Sequence, residues 1–549
     1  MIVKMQHLDL ICLADEKNMT LDALRELGAV HLDLAQAQGD GVDAAKERAG
    51  DAEAAVRLIR KARSAADGAA DPCGLSDVDE ILKLASDREA AANCAEAIEK
   101  EIKKYEKWGD FDPALAAELL KKVEGLRDYV DMPDPLPKTR LSVYAADLAK
   151  ARSKIAEIDL KLAGCDDGAI LKRFPALADK IAFAAAKTLI SEHGEVAAIA
   201  GWIPADRVGE LKAAAGRNGW GTLVRDAAAG EEPPTLIRPP RLFRPVKALF
   251  EGLGIAPAYN EADVAVPFMC YFSLFFAMLV GDGAYGAIFL IGTLCCWKKL
   301  PRAWSILLTV FSIATIGWGI LSNTWFGEPI PFLAALPSAG WLAGEGAAPG
   351  HEYDAMMLVC FTIAVSHLMI ARIWSGISQL NSLTSLAQFG WAGIVLFMYL
   401  VTNSIVGIFP GIPGWGMIMF YVSLALVFLF SVPVKELGRR GIELAMLPLN
   451  IMSALGDIIS YVRLFAVGLA SVKVAQNFNE MALGMDMPLY VKWLPVALIL
   501  FVGHALNLAM AGLSILVHAV RLNTLEFSNH KGISWAGYAF KPFKKQAKE

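Results

Sequence analysis

From Val264 onward the chain is a succession of apolar runs, and this restricts the fold more than any other feature. Runs at 303–327, 355–371, 389–409, 416–434, about 444–478 and about 487–520 each reach the roughly 20 residues that cross a bilayer core. In lipid every backbone N–H and C=O must be satisfied within its own segment, so each run is expected to be a helix. The stretch Val264–Trp297 is 34 residues long with one charge, Asp282, inside a GDG turn signal, and it reads as one long span or two short ones. Loop charges decide between them. Lys298, Lys299 and Arg302 form one basic connection, Arg372 starts another, Lys435, Arg439 and Arg440 make a third, and Lys541, Lys544, Lys545 and Lys548 close the chain. The connections 328–354, 410–415 and 479–490 hold no Lys or Arg. Basic and neutral loops alternate as the positive-inside rule requires only if 264–297 crosses twice. The expectation is eight membrane helices with both termini cytoplasmic.

The first 260 residues are of another kind, densely charged and rich in Ala, Lys and Glu. Alternating apolar residues at His7–Leu13 and Ala29–Leu34 flank a helical stretch, Asn18–Leu27, which predicts a small α/β lobe. A second lobe is expected from the strand Val196–Trp202, the helix Asp206–Ala215 and a strand near Leu223. Between them, helices at 42–66, 77–130 and 143–164 suggest a rod. Val78, Ala85, Ala92, Ala95, Ile102 and Tyr105 fall near a heptad-like seam. An ordinary helical bundle is the alternative. The fold class is therefore an α+β soluble N-terminal half followed by an all-α polytopic membrane half. The expected domains are 1–245 (lobes and rod, ending in the basic, proline-rich RPPRLFRP), a linker at 246–263, the membrane domain 264–520 and a cytoplasmic tail 521–549.

Several function classes are excluded. The N-terminus has no basic region followed by a long apolar core, so no signal peptide is expected. A net charge of −5 and no basic stripe argue against a nucleic-acid partner. The eight cysteines form no C-x-x-C pair and lie far from any zinc-like histidine spacing, so no metal or other cofactor is expected. No GxxxxGK[ST], HExxH or GxSxG motif is present, so the chain is not expected to be an enzyme on its own.

The chemistry sits in the last two runs. Asn450, Ser453, Asp457, Ser460 and Arg463 follow steps of three, four, three and three, which puts them on one face of a helix. His504, Asn507, Ser514, His518 and Arg521 follow steps of three, seven, four and three in the last run. Two polar-striped helices in one membrane domain face each other or a shared aqueous path. An arginine near mid-span costs about 2.5–3.5 kcal/mol on insertion scales and is a functional candidate by default. An ion pair of Arg463 with Asp457 is disfavoured because six residues do not bring them to neighbouring positions on one helix.

Read for resemblance, SYVRLFAVGLA (Ser460–Ala470) and LVHAVRLNTLEF (Leu516–Phe527) carry the strongest signal. FSLFFAMLVGDGAYG (Phe272–Gly286), AYNEAD (Ala258–Asp263), WFGEPIPF (Trp325–Phe332) and AGWIP (Ala200–Pro204) support it. The chain resembles subunit I of V/A-type rotary ATPases, equivalent to subunit a of the vacuolar enzyme, over essentially its whole length. The resemblance implies a stator subunit in a bacterial or archaeal plasma membrane. It implies that the arginine matching Arg463, assisted by the one matching Arg521, separates two ion half-channels facing a ring of c-type proteolipids. Arginine suits that role because it cannot lose its proton when buried, whereas lysine can. The implied partners are the c-type ring, E/G-type peripheral-stalk subunits, a central-stalk ring-capping subunit, the bilayer and the translocated H⁺ or Na⁺. Two positions depart from the vacuolar pattern, Ala511 where a glutamate is common and Ser471 where a histidine is common. The expected channel lining is therefore Asp457, Ser460, His504, Asn507, Ser514, His518 and Glu526. The competing reading is a stand-alone secondary transporter with a cytoplasmic regulatory domain, which internal repeats would favour. None is found.

Overall fold

The computed structural model describes residues 2–34, 39–65, 76–122, 133, 135–228, 230–333, 337–342, 351–431, 442, 444–485 and 489–545. They form two compact units, Gln6–Asp226 with Lys541–Glu549, and Met1–Met5 with Ala227–Phe540.

The first unit is built on β1 (Met5–Leu13), whose alternate residues Leu8, Leu10 and Cys12 are buried. A tight turn leads into α1 (Lys17–Leu27), which ends at Gly28 in the left-handed conformation. Long helices follow, α2 (Asp40–Ala65), α3 (Val78–Tyr105), α4 (Pro113–Lys122), α5 (Leu141–Ala163) and α6 (Phe174–Thr188). Then come β2 (Ser191–His193), β3 (Val196–Pro204), α7 (Val208–Asn218) and β4 (Gly221–Asp226). The four strands make one sheet in the order β2-β3-β1-β4, with β1 antiparallel to β4 from Gln6↔Asp226 to Ile11↔Gly221. The two lobes expected from sequence are thus a single layer, because β1 buries its apolar face in the same core as β3 and α7: Leu8, Leu21, Ile199, Leu211 and Trp220 pack together. Ala29–Leu34 is not a strand. Only His31 pairs with Trp202, at 2.8 and 2.9 Å, and Gly201 permits this approach, since a Cβ there would lie 2.7 Å from the His31 carbonyl oxygen. In the rod, α3 and α5 run antiparallel, as the Arg88–Asp159 and Arg152–Glu99 ion pairs require. The buried seam of α3 is Ile81, Ala91, Ala95 and Tyr105, so the expected Ala95 and Tyr105 are on it, whereas Val78, Ala85, Ala92 and Ile102 are only half-buried. Asp77 caps this helix. Of the expected helix 77–130, residues 123–130 lie outside the described residues.

In the second unit, part of the expected linker at 246–263 is an amphipathic helix, α8 (Val246–Leu253), with Val246, Leu249 and Phe250 in the core. Then come α9 (Ala265–Val280) and α10 (Gly283–Cys295), bent by 118° at the GDG turn. Gly281 takes φ +70° to end α9, and Asp282 caps α10 by accepting from Ala284 N–H at 2.8 Å. The remaining helices are α11 (Arg302–Ser322), α12 (Asp354–Ser378), α13 (Thr384–Val406), α14 (Gly414–Phe430), α15 (Leu447–Ile459), α16 (Val462–Leu483) and α17 (Leu489–Ser514). Two π turns, Ile515–Ala519 and Leu522–Phe527, continue the last helix. Among the described residues five helical segments are long and apolar enough to cross a membrane, six if the bent pair is one span; α14 is shorter. The segment Leu447–Leu483 spans 37 residues with a break at Ser460–Tyr461, and Lys492–Lys531 spans 40. The last helix therefore runs through Arg521 to Lys531, where a tail had been expected from 521. Arg372, taken from sequence as a loop charge, lies within α12. Lys435, Arg439, Arg440 and Lys548, with 334–336 and 343–350 of the 328–354 connection, lie outside the described residues.

Candidate functional site

The polar stripes of α15–α16 and the last helix meet at one carboxylate. The break at Ser460–Tyr461 places Arg463 in the first turn of α16, where its Nε donates to the Ser460 carbonyl at 2.9 Å and its Nη2 donates to Glu526 Oε1 at 3.0 Å. The Arg521 Nε lies 3.4 Å from the same oxygen, and Ser460 Oγ, which donates to the Asp457 carbonyl at 2.6 Å, lies 3.4 Å from it. The side chain of Glu526 is 5% exposed, against 27% for Arg463 and 52% for Arg521. A carboxylate so deeply placed is tolerable only with cationic partners, and here it has two. Its other oxygen, Oε2, is buried with no hydrogen-bond partner among the described residues.

The π turns explain how Arg521 and Glu526 come together. Five residues apart, they would diverge on a regular α-helix, but π bonding pairs residue i with i+5 and stacks them. The Arg463–Asp457 ion pair, disfavoured by their spacing in sequence, is absent among the described hydrogen bonds and ion pairs. Asp457 instead accepts from His530 at 2.9 Å.

A second polar cluster lies eight residues further along α16 from Arg463, about 12 Å by helical rise. Asn507 Nδ2 donates to the Ser471 carbonyl at 2.9 Å and to the Tyr285 hydroxyl at 3.1 Å, while Ser471 Oγ donates to Asn507 Oδ1 at 3.0 Å. The Tyr285 hydroxyl, accepting from Asn507, has its own proton free for His504 Nδ1 at 2.7 Å. Tyr285 reaches this place because the bend at Asp282 turns α10 back into the domain. Asp282 fixes that bend by also accepting from Gly327 N–H at 2.8 Å. The Trp325–Glu328 loop is held on α16 by Asn479 donating to the Phe326 carbonyl and Gln476 to the Gly327 carbonyl.

Of the sequence-predicted residues, Arg463, Arg521, Ser460 and Glu526 share one cluster, and His504 and Asn507 share the other. Asp457 lies beside the first through His530. His518 is half-buried with Nδ1 unpartnered among the described residues, and Ser514 donates to its own helix at the Met510 carbonyl, 2.8 Å. Asn450 and Ser453 are exposed. Sequence reasoning missed Tyr285, Ser471, His530, Arg372 and Tyr461. Tyr461 is fully buried and its hydroxyl meets His367 Nδ1 at 2.7 Å. Ala511 is buried, so the position that departs from the vacuolar pattern is packed. A cavity of 380 Å³ lies against the Leu464, Gly468 and Val472 side of α16, away from Arg463, and Glu352, Lys473 and Gln476 line it. Among the described residues no group of three His, Cys, Asp or Glu side chains is placed to hold a metal ion.

No family model matches the chain. It is similar to the V-type ATP synthase subunit I of Borreliella burgdorferi, 31% identical over 64% of this chain and 60% of the relative. It is similar end to end to V-type ATP synthase subunit I 1 of Treponema pallidum, at 29% identity over the full length of both. The A-type ATP synthase subunit I of Methanocaldococcus jannaschii is 25% identical over 63% of this chain and 54% of that protein. With these relatives and its long apolar helices, the chain is a homologue of the I subunits of V-type and A-type ATP synthases, membrane subunits of rotary ATPases rather than catalytic ones.

Proposed function

We propose that this chain is the membrane stator of a V/A-type rotary ATPase and couples H⁺ or Na⁺ translocation to ATP hydrolysis or synthesis. The observation that carries the reading is the contact of Arg463 and Arg521 with one buried carboxylate, Glu526, across the last two segments. Two guanidiniums that cannot be deprotonated give a fixed positive barrier, which a ring of carboxylate-bearing c-type subunits would need between loading and unloading. The two polar clusters supply one half-channel each, the Ser460–Asp457 side and the Tyr285–His504–Asn507 side. Lipid-exposed or ring-exposed apolar side chains flank them on the last helix, among them Phe501, Leu513, Leu516 and Val517.

Eight crossings follow if α9, α10 and α14 each traverse with the five long segments. Both termini then lie in the cytoplasm, and residues 1–245 form the collar that binds E/G-type peripheral stalks, with the central-stalk ring-capping subunit opposite. The rod of α3 and α5 suits a part that resists torque. Labelling in a cysteine-free background tests the topology: an impermeant reagent applied from the cytoplasm reaches a cysteine at Arg302 and not one at Gly411.

The direct test is Arg463→Lys in the assembled complex, assayed in inverted vesicles. The expected result is normal assembly with loss of ATP-driven ion transport. Full transport by that variant overturns the reading.

A further inference from the structure

Beyond the arginine pair, a chain of three side chains from three segments ends at Asp457. His530 Nδ1 lies 3.0 Å from Arg372 Nε, and His530 Nε2 lies 2.9 Å from Asp457 Oδ2. A guanidinium only donates, so Nδ1 is the acceptor of the imidazole and its single N–H is at Nε2, pointing at the carboxylate. The tautomer is fixed by the neighbours. Arg372 is itself held in place: its Nη1 donates to Gln388 Oε1 at 3.2 Å, and its guanidinium lies 5.1 Å from the centre of the Trp391 ring. The histidine is buried, at 3% exposure, whereas the Asp457 side chain keeps 25%. One carboxylate oxygen is thus anchored from behind and the group is open on the other side. Asp457 stands six residues before Arg463 in the same segment, and Ser460 between them touches Glu526.

We propose that Arg372 and His530 are positioning residues that hold the Asp457 carboxylate toward the half-channel ending at Arg463 and Glu526, where it collects the cation to be translocated. This rests on the stator reading. A carboxylate fixed at the mouth of a low-dielectric path concentrates cations there. A free side chain at the same position would spend its time in many rotamers and give a weaker local field. Of the helices around it, α13 carries no Asp, Glu, Lys, Arg or His, while α12 brings the fixed cation of Arg372, which stands behind His530 and leaves the exposed side of the carboxylate free to meet a mobile cation. A merely structural role would tie three segments together with no effect on cation affinity.

The experiment measures ATP-driven uptake by the assembled complex in inverted vesicles as a function of Na⁺ and, in Na⁺-free medium, of H⁺. Asp457→Asn is expected to raise the half-saturating cation concentration by roughly fivefold or more, and His530→Leu to do so while its maximal rate stays within about twofold. His530→Gln, which keeps an N–H near the Nε2 position, is expected to restore the wild-type value. Unchanged half-saturation in Asp457→Asn overturns the proposal, as does His530→Gln behaving like His530→Leu. Should His530→Leu fail to assemble, the near-isosteric Asp457→Asn still decides. Arg463→Lys is run alongside: transport by that variant removes the stator reading itself, whereas a dead Arg463→Lys with unmoved half-saturation in Asp457→Asn removes only this inference.

Discussion

Arg463 and Glu526, 63 residues apart in sequence, meet at 3.0 Å across the last two membrane segments, and Arg521 closes on the same carboxylate oxygen at 3.4 Å. Glu526→Gln keeps the shape and one acceptor oxygen but removes the charge both guanidiniums share. Charged hydrogen bonds of this kind contribute about 1.5–3 kcal/mol. ATP-driven transport by the intact complex is therefore expected to fall by roughly tenfold or more. Wild-type rates in Glu526→Gln would show that the carboxylate is a bystander.

Asp282 uses both carboxylate oxygens, one on Ala284 N–H and one on Gly327 N–H, at 2.8 Å each. An asparagine has one acceptor oxygen, and its amide would face an N–H that then has no partner. Asp282→Asn is expected to destabilise by about 1–3 kcal/mol, seen as a drop in Tm of the detergent-purified protein. An unchanged Tm would mean that the loop can be held without this cap.

Two glycines give opposite expectations. A Cβ on Gly468 would lie 2.5 Å from the Met278 carbonyl oxygen, so Gly468→Ala is expected to cost about 1–3 kcal/mol through overpacking. A Cβ on Gly512 meets nothing within 4 Å, so Gly512→Ala is expected to stabilise by up to about 1 kcal/mol through helix propensity. Thermal inactivation of the two variants in the same detergent checks both signs.

The soluble unit carries a pH dependence at His31. Burial lowers its pKa below the usual 6.5, outweighing the opposing hydrogen bond to the Lys541 backbone, whose N and O both lie 3.0 Å from its Nδ1. The unfolded chain then binds this proton more readily than the folded one. Stability is full above about pH 6.5 and declines as the pH falls below it. Amide exchange over Met5–Leu13, corrected for its intrinsic pH dependence, is expected to accelerate below that value. The acceleration should shrink in His31→Gln.

The polar stripes and Arg463 were legible because side-chain spacing reports helix faces directly. Most strands and long helices followed from the same periodicities. What stayed hidden has identifiable causes. A strand pattern says nothing about which strands share a sheet, so one layer read as two lobes. Ala at seam positions carries little register information, and of the expected α3 seam only Ala95 and Tyr105 are fully buried. The pairing of Arg521 with Glu526 depends on π turns, which no regular period encodes. Arg372 and His530 lay where the apolar runs seemed to end, yet their helices continue past those ends, since the charge of Arg372 is covered by Trp391, Gln388 and His530. Tyr285 sat within a glycine-rich turn signal that drew attention to Asp282 instead.

Counting charge at the shared carboxylate gives two positive groups and one negative, so the site is one anion short of neutrality. A single acidic side chain sliding past would complete it, and a second would find no charge left to meet. A free cation approaching the same point would raise the sum from one to two and be repelled, the more strongly the drier the surroundings. The Oε2 of Glu526, with no hydrogen-bond partner among the described residues, is a further point at which such a side chain could be met. In the proposed stator, the feature that would close the path to bare ions is thus the same one that leaves room for one visiting carboxylate at a time.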